Sequence, residues 1–171
     1  MMDDGGNAGD VDDGGDVRGG VRGEAAASFS LRSDSLKLML MAVSAIVNGS
    51  GKKDQFGVVK VGTMGVRILV ETAAKSMQAH VFINRDRLTV FNLEATRGEH
   101  TEIAFRVNLV SLLDCLSLFG ASAAAMTSLA MSFSEEDAVL HVLLEMSGIV
   151  TECDLATVDV DAASDYEDVF R

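Results

Sequence analysis

Phe105-Arg106-Val107-Asn108-Leu109-Val110-Ser111-Leu112-Leu113-Asp114-Cys115-Leu116-Ser117-Leu118-Phe119-Gly120 changes its hydrophobic period halfway along. Before Asn108 the apolar residues alternate (Ile103, Phe105, Val107), as in a strand with one buried face. After it, Leu109, Leu112, Leu113, Leu116 and Phe119 recur three and four residues apart, which is one stripe of a helix. Asn108 stands at the change, where its side-chain oxygen can accept from the unpaired N–H groups of a first helical turn. Gly120 is expected to end the helix as its left-handed cap residue.

The same change of period occurs upstream. Ser28-Phe29-Ser30-Leu31 alternates, and Leu36, Met39, Leu40, Val43, Ile46 and Val47 then form a helical stripe, with Ser33 or Asp34 as N-cap and Asn48-Gly49 as the stop. Phe29-Ser30-Leu31-Arg32-Ser33 enters the first helix much as Ala104-Phe105-Arg106-Val107-Asn108 enters the second. Four β-rich runs follow the first helix, at residues 56–61, 66–71, 77–83 and 87–93. Turn residues at 62–65, 74–75 and 84–86 separate them and predict an antiparallel meander. After the second helix, residues 129–133 alternate, Glu135-Glu136-Asp137 turns, 138–146 runs back, and Ser147-Gly148 turns into 149–155.

The order is therefore a pseudo-repeat: strand, helix and four strands, then strand, helix and three strands. Two amphipathic helices cannot bury their stripes alone, so the expected fold is α+β, with both helices laid across one face of antiparallel strands. The 171 residues include no proline, so no edge strand is guarded by that device.

At this length a chain buries roughly two-thirds of the surface that its unfolded form exposes, so the core needs no disulfide or metal. Cys115 and Cys153 are not expected to be staples; no Cys-x-x-Cys is present, which suits a reducing compartment. The net charge of −12 at face value argues against a phosphate-backbone binder. Its distribution changes that reading. Residues 1–24 hold seven acids, two bases and eight glycines, a net of −5; residues 157–171 hold five acids and one base, a net of −4; residues 25–156 carry only −3. We therefore expect a disordered Gly/Asp-rich leader over 1–26, one folded domain over 27–156, and an acidic tail over 157–171. The leader lacks an apolar run after a basic start and is no signal peptide. The longest apolar-dominated run, 38–47, is half of the ~20 residues that a membrane span needs, so no membrane contact is expected.

Motifs for catalysis are weak. Asn48-Gly49-Ser50-Gly51-Lys52-Lys53 has Ile46 where a phosphate loop needs glycine, and it follows a helix instead of opening one; it reads as a helix-to-strand turn. His80, His100 and His141 lack metal-ligand spacing. Cys115 sits in a leucine-rich helix and reads as a small helix residue, not a nucleophile. A two-metal nuclease needs carboxylates converging on cations ~4 Å apart; Glu135-Glu136-Asp137 and Asp165-Tyr166-Glu167 read as solvated acids. No catalytic residue, cofactor or metal is assigned. The eleven bases between Arg32 and Arg106 either serve solubility or gather on one face toward a polyanion.

With these residues in hand, the 105–120 stretch resembles the strand-to-helix segment of the sliding-clamp family, and within it the Rad-one type of subunit of the heterotrimeric DNA-damage checkpoint clamp. Gly65-Val66-Arg67-Ile68-Leu69-Val70-Glu71, Met77-Gln78-Ala79-His80-Val81-Phe82-Ile83 and Gly148-Ile149-Val150-Thr151-Glu152-Cys153 give collinear support, and the resemblance runs from Ser28 to Leu155. It implies a sliding-clamp domain whose helices line a channel for double-stranded DNA and whose edge strands pair with neighbouring domains to close a ring.

The function implied is a non-enzymatic nuclear subunit that encircles DNA and scaffolds checkpoint signalling and repair. Its partners would be two companion clamp subunits, a clamp loader, and checkpoint and repair proteins. By position, Lys37, Met41, Ser44 and Asn48 of the first helix would face the channel, with Ser111, Asp114 and Ser117 or Leu118 of the second. Lys37 matches a family channel lysine, whereas Asp114 and Ser117 stand where replicative clamps carry lysines. Ile149, Val150, Thr151, Glu152 and Cys153 would pair with a neighbouring subunit; Lys75, Met77, Ala79, Val81 and Ile83 would face a second domain. The family's subunits have two such domains, and this chain ends inside what would be their connector. Two other readings stand beside it: a 3′-to-5′ exonuclease, an activity attached to the family, and an interaction module that takes peptides on an exposed edge strand.

Overall fold

A computed structural model describes residues 26–47, 54–72, 75–94 and 102–160. The expected leader, the Asn48 to Lys53 loop with channel candidate Asn48, and the acidic tail from 161 onward lie outside the described residues. Nine strands and two α-helices follow in the expected order: β1 (Ser28–Ser33), α1 (Lys37–Ile46), β2 (Phe56–Gly62), β3 (Gly65–Glu71), β4 (Gln78–Asn84), β5 (Val90–Glu94), β6 (Glu102–Asn108), α2 (Leu109–Leu116), β7 (Ser128–Ser134), β8 (Val139–Met146) and β9 (Ile149–Asp159). All pairings are antiparallel, in the order β4-β3-β2-β6-β9-β8-β7-β1-β5.

The strands form two sheets that share β9. Sheet A is β5-β1-β7-β8 with β9 over Ile149 to Ala156; sheet B is β4-β3-β2-β6 with β9 over Thr157 to Asp159. The two halves of the pseudo-repeat exchange strands. β1 pairs with β7 of the second half, and β6 pairs with β2 of the first. Neither half can complete its sheet without the other.

The expected four-strand meander is corrected. β2, β3 and β4 do form one, but β5 leaves it and pairs with β1 at the far end of sheet A. The turn residues at 84–86 belong to a 3₁₀ turn, Arg85–Arg87, started by Asn84, whose Oδ1 accepts from Asp86 N at 2.9 Å. Thr89 N then donates to Arg32 O at 2.8 Å and carries the chain to the other sheet. β4 and β5 together thus do what β9 does as one unbroken strand, passing from one sheet to the other.

The core lies between the sheets and the helices. Met39, Leu40, Ala42 and Val43 of α1 and Leu109, Leu112, Cys115 and Leu116 of α2 are buried, as the stripes require. At their centre Phe29, Phe105 and Phe133 stack, with ring centroids 4.2 Å apart for Phe105 and Phe133 and 6.2 Å for each of the other two pairs. α2 starts hard against β2. A Cβ on Gly57 would stand 2.6 Å from Leu109 Cδ1, so only glycine lets the helix sit that low.

The start of α2 falls where expected, while the end of α2 and the start of α1 are corrected. Asn108 caps α2 as expected, its Oδ1 accepting from Val110 N at 3.0 Å and Ser111 N at 3.3 Å while its Nδ2 donates to Asp54 Oδ1 at 2.8 Å. Gly120 is not the left-handed cap. The helix stops at Leu116, where Ser117 Oγ donates back to Leu113 O at 2.7 Å; Gly120, at φ +80° and ψ +154°, lies beyond the following turn. Neither Ser33 nor Asp34 caps α1. The cap position falls on helical, buried Leu36, whose N–H goes to Thr127 O at 2.7 Å, while Ser35 Oγ accepts from Lys37 N at 3.3 Å. Strand β9 also runs past the expected end at Leu155.

Asn108→Ala removes the acceptor for two first-turn N–H groups and is expected to cost about 1 kcal/mol, the usual range for a lost N-cap. Urea unfolding followed by circular dichroism measures it as a lower midpoint at unchanged slope.

Candidate functional site

The two helices contact each other and turn their buried stripes to the sheets, so their opposite faces form one solvent surface. The described channel candidates all lie on it: Lys37, Met41 and Ser44 on α1, Ser111 and Asp114 on α2, and Ser117 and Leu118 in the turn after it are exposed. The surface is balanced in charge and partly apolar. Lys37 and Asp114 are its ionisable groups among these candidates, neither with an ion-pair partner among the described residues, and Leu38, Met41 and Leu118 add apolar area. No helix among the described residues is long and apolar enough to cross a membrane.

The strand edges form a second set. β9 pairs with β8 from Ile149 to Ala156 but with β6 only over its last three residues, so that over Ile149 to Ala156 its other side is open among the described residues. Ser147 and Gly148, both at positive φ, make the two-residue hairpin turn that fixes this register. In such a hairpin the flanking Met146 and Ile149 are a hydrogen-bonded pair, so odd-numbered residues of β9 turn their backbone groups to β8. Thr157 N donating to Ala138 O obeys the rule. Val150, Glu152, Asp154 and Ala156 therefore present their N–H and C=O groups to the open side. Of the predicted edge residues, Ile149, Thr151 and Cys153 point their backbone groups inward.

β4 is the end of sheet B and holds Ala79, Val81 and Ile83; Lys75 and Met77 precede it, Lys75 at φ +53°. Sequence reasoning missed the third edge, β5, because periodicity carries no information about which strand lies beside which. It also missed a thiol pair. Cys115 on α2 neighbours Cys153 on β9, and both cysteines are free. Burial, then the neighbouring Cys153, pushes the Cys115 thiol from 9.0 up to about 12.

Among the described residues no three His, Cys, Asp or Glu side chains gather as a cation site. His141 Nδ1 lies 2.7 Å from Asp154 Oδ1 on the solvent side of sheet A, and Glu135, Glu136 and Asp137 are exposed on the β7–β8 turn.

The chain matches the family model described as "Repair protein Rad1/Rec1/Rad17" over residues 28–169. It is 34% identical over 105 residues to the mouse "Cell cycle checkpoint protein RAD1", covering 60% of this chain and 35% of that protein, and 33% identical to the human protein of that name over the same length. It is 30% identical over 142 residues to the fruit-fly "DNA repair protein Rad1", covering 81% of this chain and 46% of the relative. The chain thus spans between a third and a half of the length of these curated relatives.

The raised Cys115 thiol sets a pH dependence. Between its unfolded value near 9 and its folded value near 12, the native state holds a proton that the unfolded state has released, so stability falls as pH rises through that window. Cys115→Ala is expected to lose less stability than the parent chain between pH 8 and 11, read from urea midpoints at each pH.

Proposed function

Because the chain belongs to the Rad1/Rec1/Rad17 repair-protein family, we propose that its folded domain is one arc of a ring around duplex DNA. It is a non-enzymatic checkpoint-clamp subunit acting in the nucleus, joined to two companion subunits, placed by a clamp loader, and offering its surface to checkpoint and repair proteins. The observation that carries this reading is the open side of β9 together with the terminal strand β4. Two different edges of one domain can join head to tail, and such contacts close into rings when the rotation per joint divides a full turn.

At the β9 joint a neighbour's strand continues sheet A by backbone pairing with Val150, Glu152, Asp154 and Ala156. Ile149 and Val150, 56% and 54% exposed, supply apolar area beside it. β4, with Ala79, Val81 and Ile83, faces the second clamp domain. The helix surface lines the channel. Lys37 offers one phosphate contact and Asp114 offsets it, so the ring retains DNA by enclosure more than by charge. Exposed Glu135, Glu136 and Asp137 on a hairpin turn suit a scaffold better than a two-metal nuclease.

The test is co-expression with the two companion subunits. The wild-type chain is expected to co-purify with at least one. Glu152→Pro, which deletes an N–H on the open side and leaves the β8 ladder intact, is expected to lose that partner at an unchanged circular dichroism spectrum. A folded wild-type domain that co-purifies with neither subunit sinks the proposal.

A further inference from the structure

The outward face of sheet B is built differently from the helix surface. Val59, Val61, Val66, Ile68, Ile83, Phe105 and Val107 point into the core, so the residues between them on β2, β3, β4 and β6 point to solvent. These include Phe56, Lys60, Arg67, Phe82 and Arg106. Register sets Phe82, Arg67 and Lys60 in one cross-strand row. The Arg67 guanidinium carbon lies 5.7 Å from the Phe82 ring centroid, and that of Arg106 lies 5.8 Å from the Phe56 centroid. Both rings remain exposed, at 44% and 43%.

Between the two Arg–Phe pairs lie Val58 and Leu69, buried although they point away from the core. Lys60 is paired with Glu102 at 3.5 Å, while Arg67 and Arg106 have no carboxylate partner among the described residues. Glu71, two residues beyond Leu69, is the other acid on this face. In a domain that is acidic overall, this sheet face collects two unneutralised guanidiniums, each lying on an exposed aromatic ring.

Two exposed phenylalanines, each with a guanidinium over its ring, make this face both aromatic and cationic. A guanidinium over an exposed ring fits a ligand that offers both negative charge and flat apolar faces. A duplex hides its base faces, whereas a single strand displays base and phosphate together. We propose that the outward face of sheet B binds single-stranded nucleic acid, with bases stacking at Phe56 and Phe82 and phosphates meeting Arg106 and Arg67. Counted as two strand spacings across and four residues along, the rings stand ~16 Å apart, so each takes its own base. This site is separate from the helix surface and does not depend on ring assembly.

Fluorescence anisotropy of the whole chain with a labelled oligothymidine of about twelve nucleotides, within the ~4–16 covered by other sheet-based binders, tests it. Binding at about 50 mM salt is expected, weakening with salt at a log–log slope of about −1.4 for two phosphate contacts. Phe56→Leu and Phe82→Leu are each expected to weaken it about tenfold or more, the loss of one stacked base. Phe82→Tyr, which keeps the ring, retains it, and an unchanged circular dichroism spectrum of the leucine variants separates their loss from misfolding. Arg67→Glu with Arg106→Glu abolishes binding, and Arg32→Glu on exposed β1 of sheet A leaves it unchanged. The proposal is overturned if the wild-type chain binds no oligothymidine, if duplex binds as well as single strand, or if Arg32→Glu weakens binding as much as the Arg67 and Arg106 changes. Capture of an acidic, tyrosine-bearing peptide in place of the oligonucleotide also overturns it and assigns the face to a protein partner.

Discussion

The fold depends on how little backbone joins its two sheets. Among the described residues only Phe105 to Val107 and Thr157 to Asp159 connect sheet B to sheet A by a ladder. The remaining cohesion is side-chain packing, and its centre is the Phe29–Phe105–Phe133 stack, in which β6 of sheet B contributes one ring and sheet A the other two. Phe105 belongs to both forms of attachment: its backbone sits in the short ladder, and its ring, 1% exposed, lies 4.2 Å from Phe133. From that joint the sheets diverge, and the divergence leaves one side of β9 open.

What could be read from the residues was what local chemistry determines. Asn108 announced a helix start because its oxygen is the right length to reach the next N–H groups, and the two apolar stripes announced buried faces because 3.6-residue periodicity leaves no other use for them. The end of α2 was less legible: Ser117 ends it with its own hydroxyl, a local competition that glycine's conformational reputation concealed. The start of α1 was not legible at all, since Leu36 is held by Thr127, 91 positions later in the chain.

The β5 crossing and the edges belong to the same class. Asn84-Arg85-Asp86 looks like a hairpin turn, and nothing within a few residues says that the chain will change sheets there. Exposure of Lys37, Met41, Ser44, Ser111 and Asp114 followed directly from the stripes. The openness of β9 is a statement about pairing, so only the assembled sheet order discloses it. The domain then divides its surfaces by chemistry: a nearly neutral helix face, open backbone at β9, and guanidiniums on rings across sheet B.

The strand exchange between halves also orders events in time. β1 sits between β5 and β7, and Ser28 lies opposite Ser134. A ribosome must therefore release more than a hundred residues beyond β1 before that strand can find its inner neighbour. Until then α1 carries Met39, Leu40 and Val43 with half of their cover unsynthesised. The first elements made are among the last to be housed.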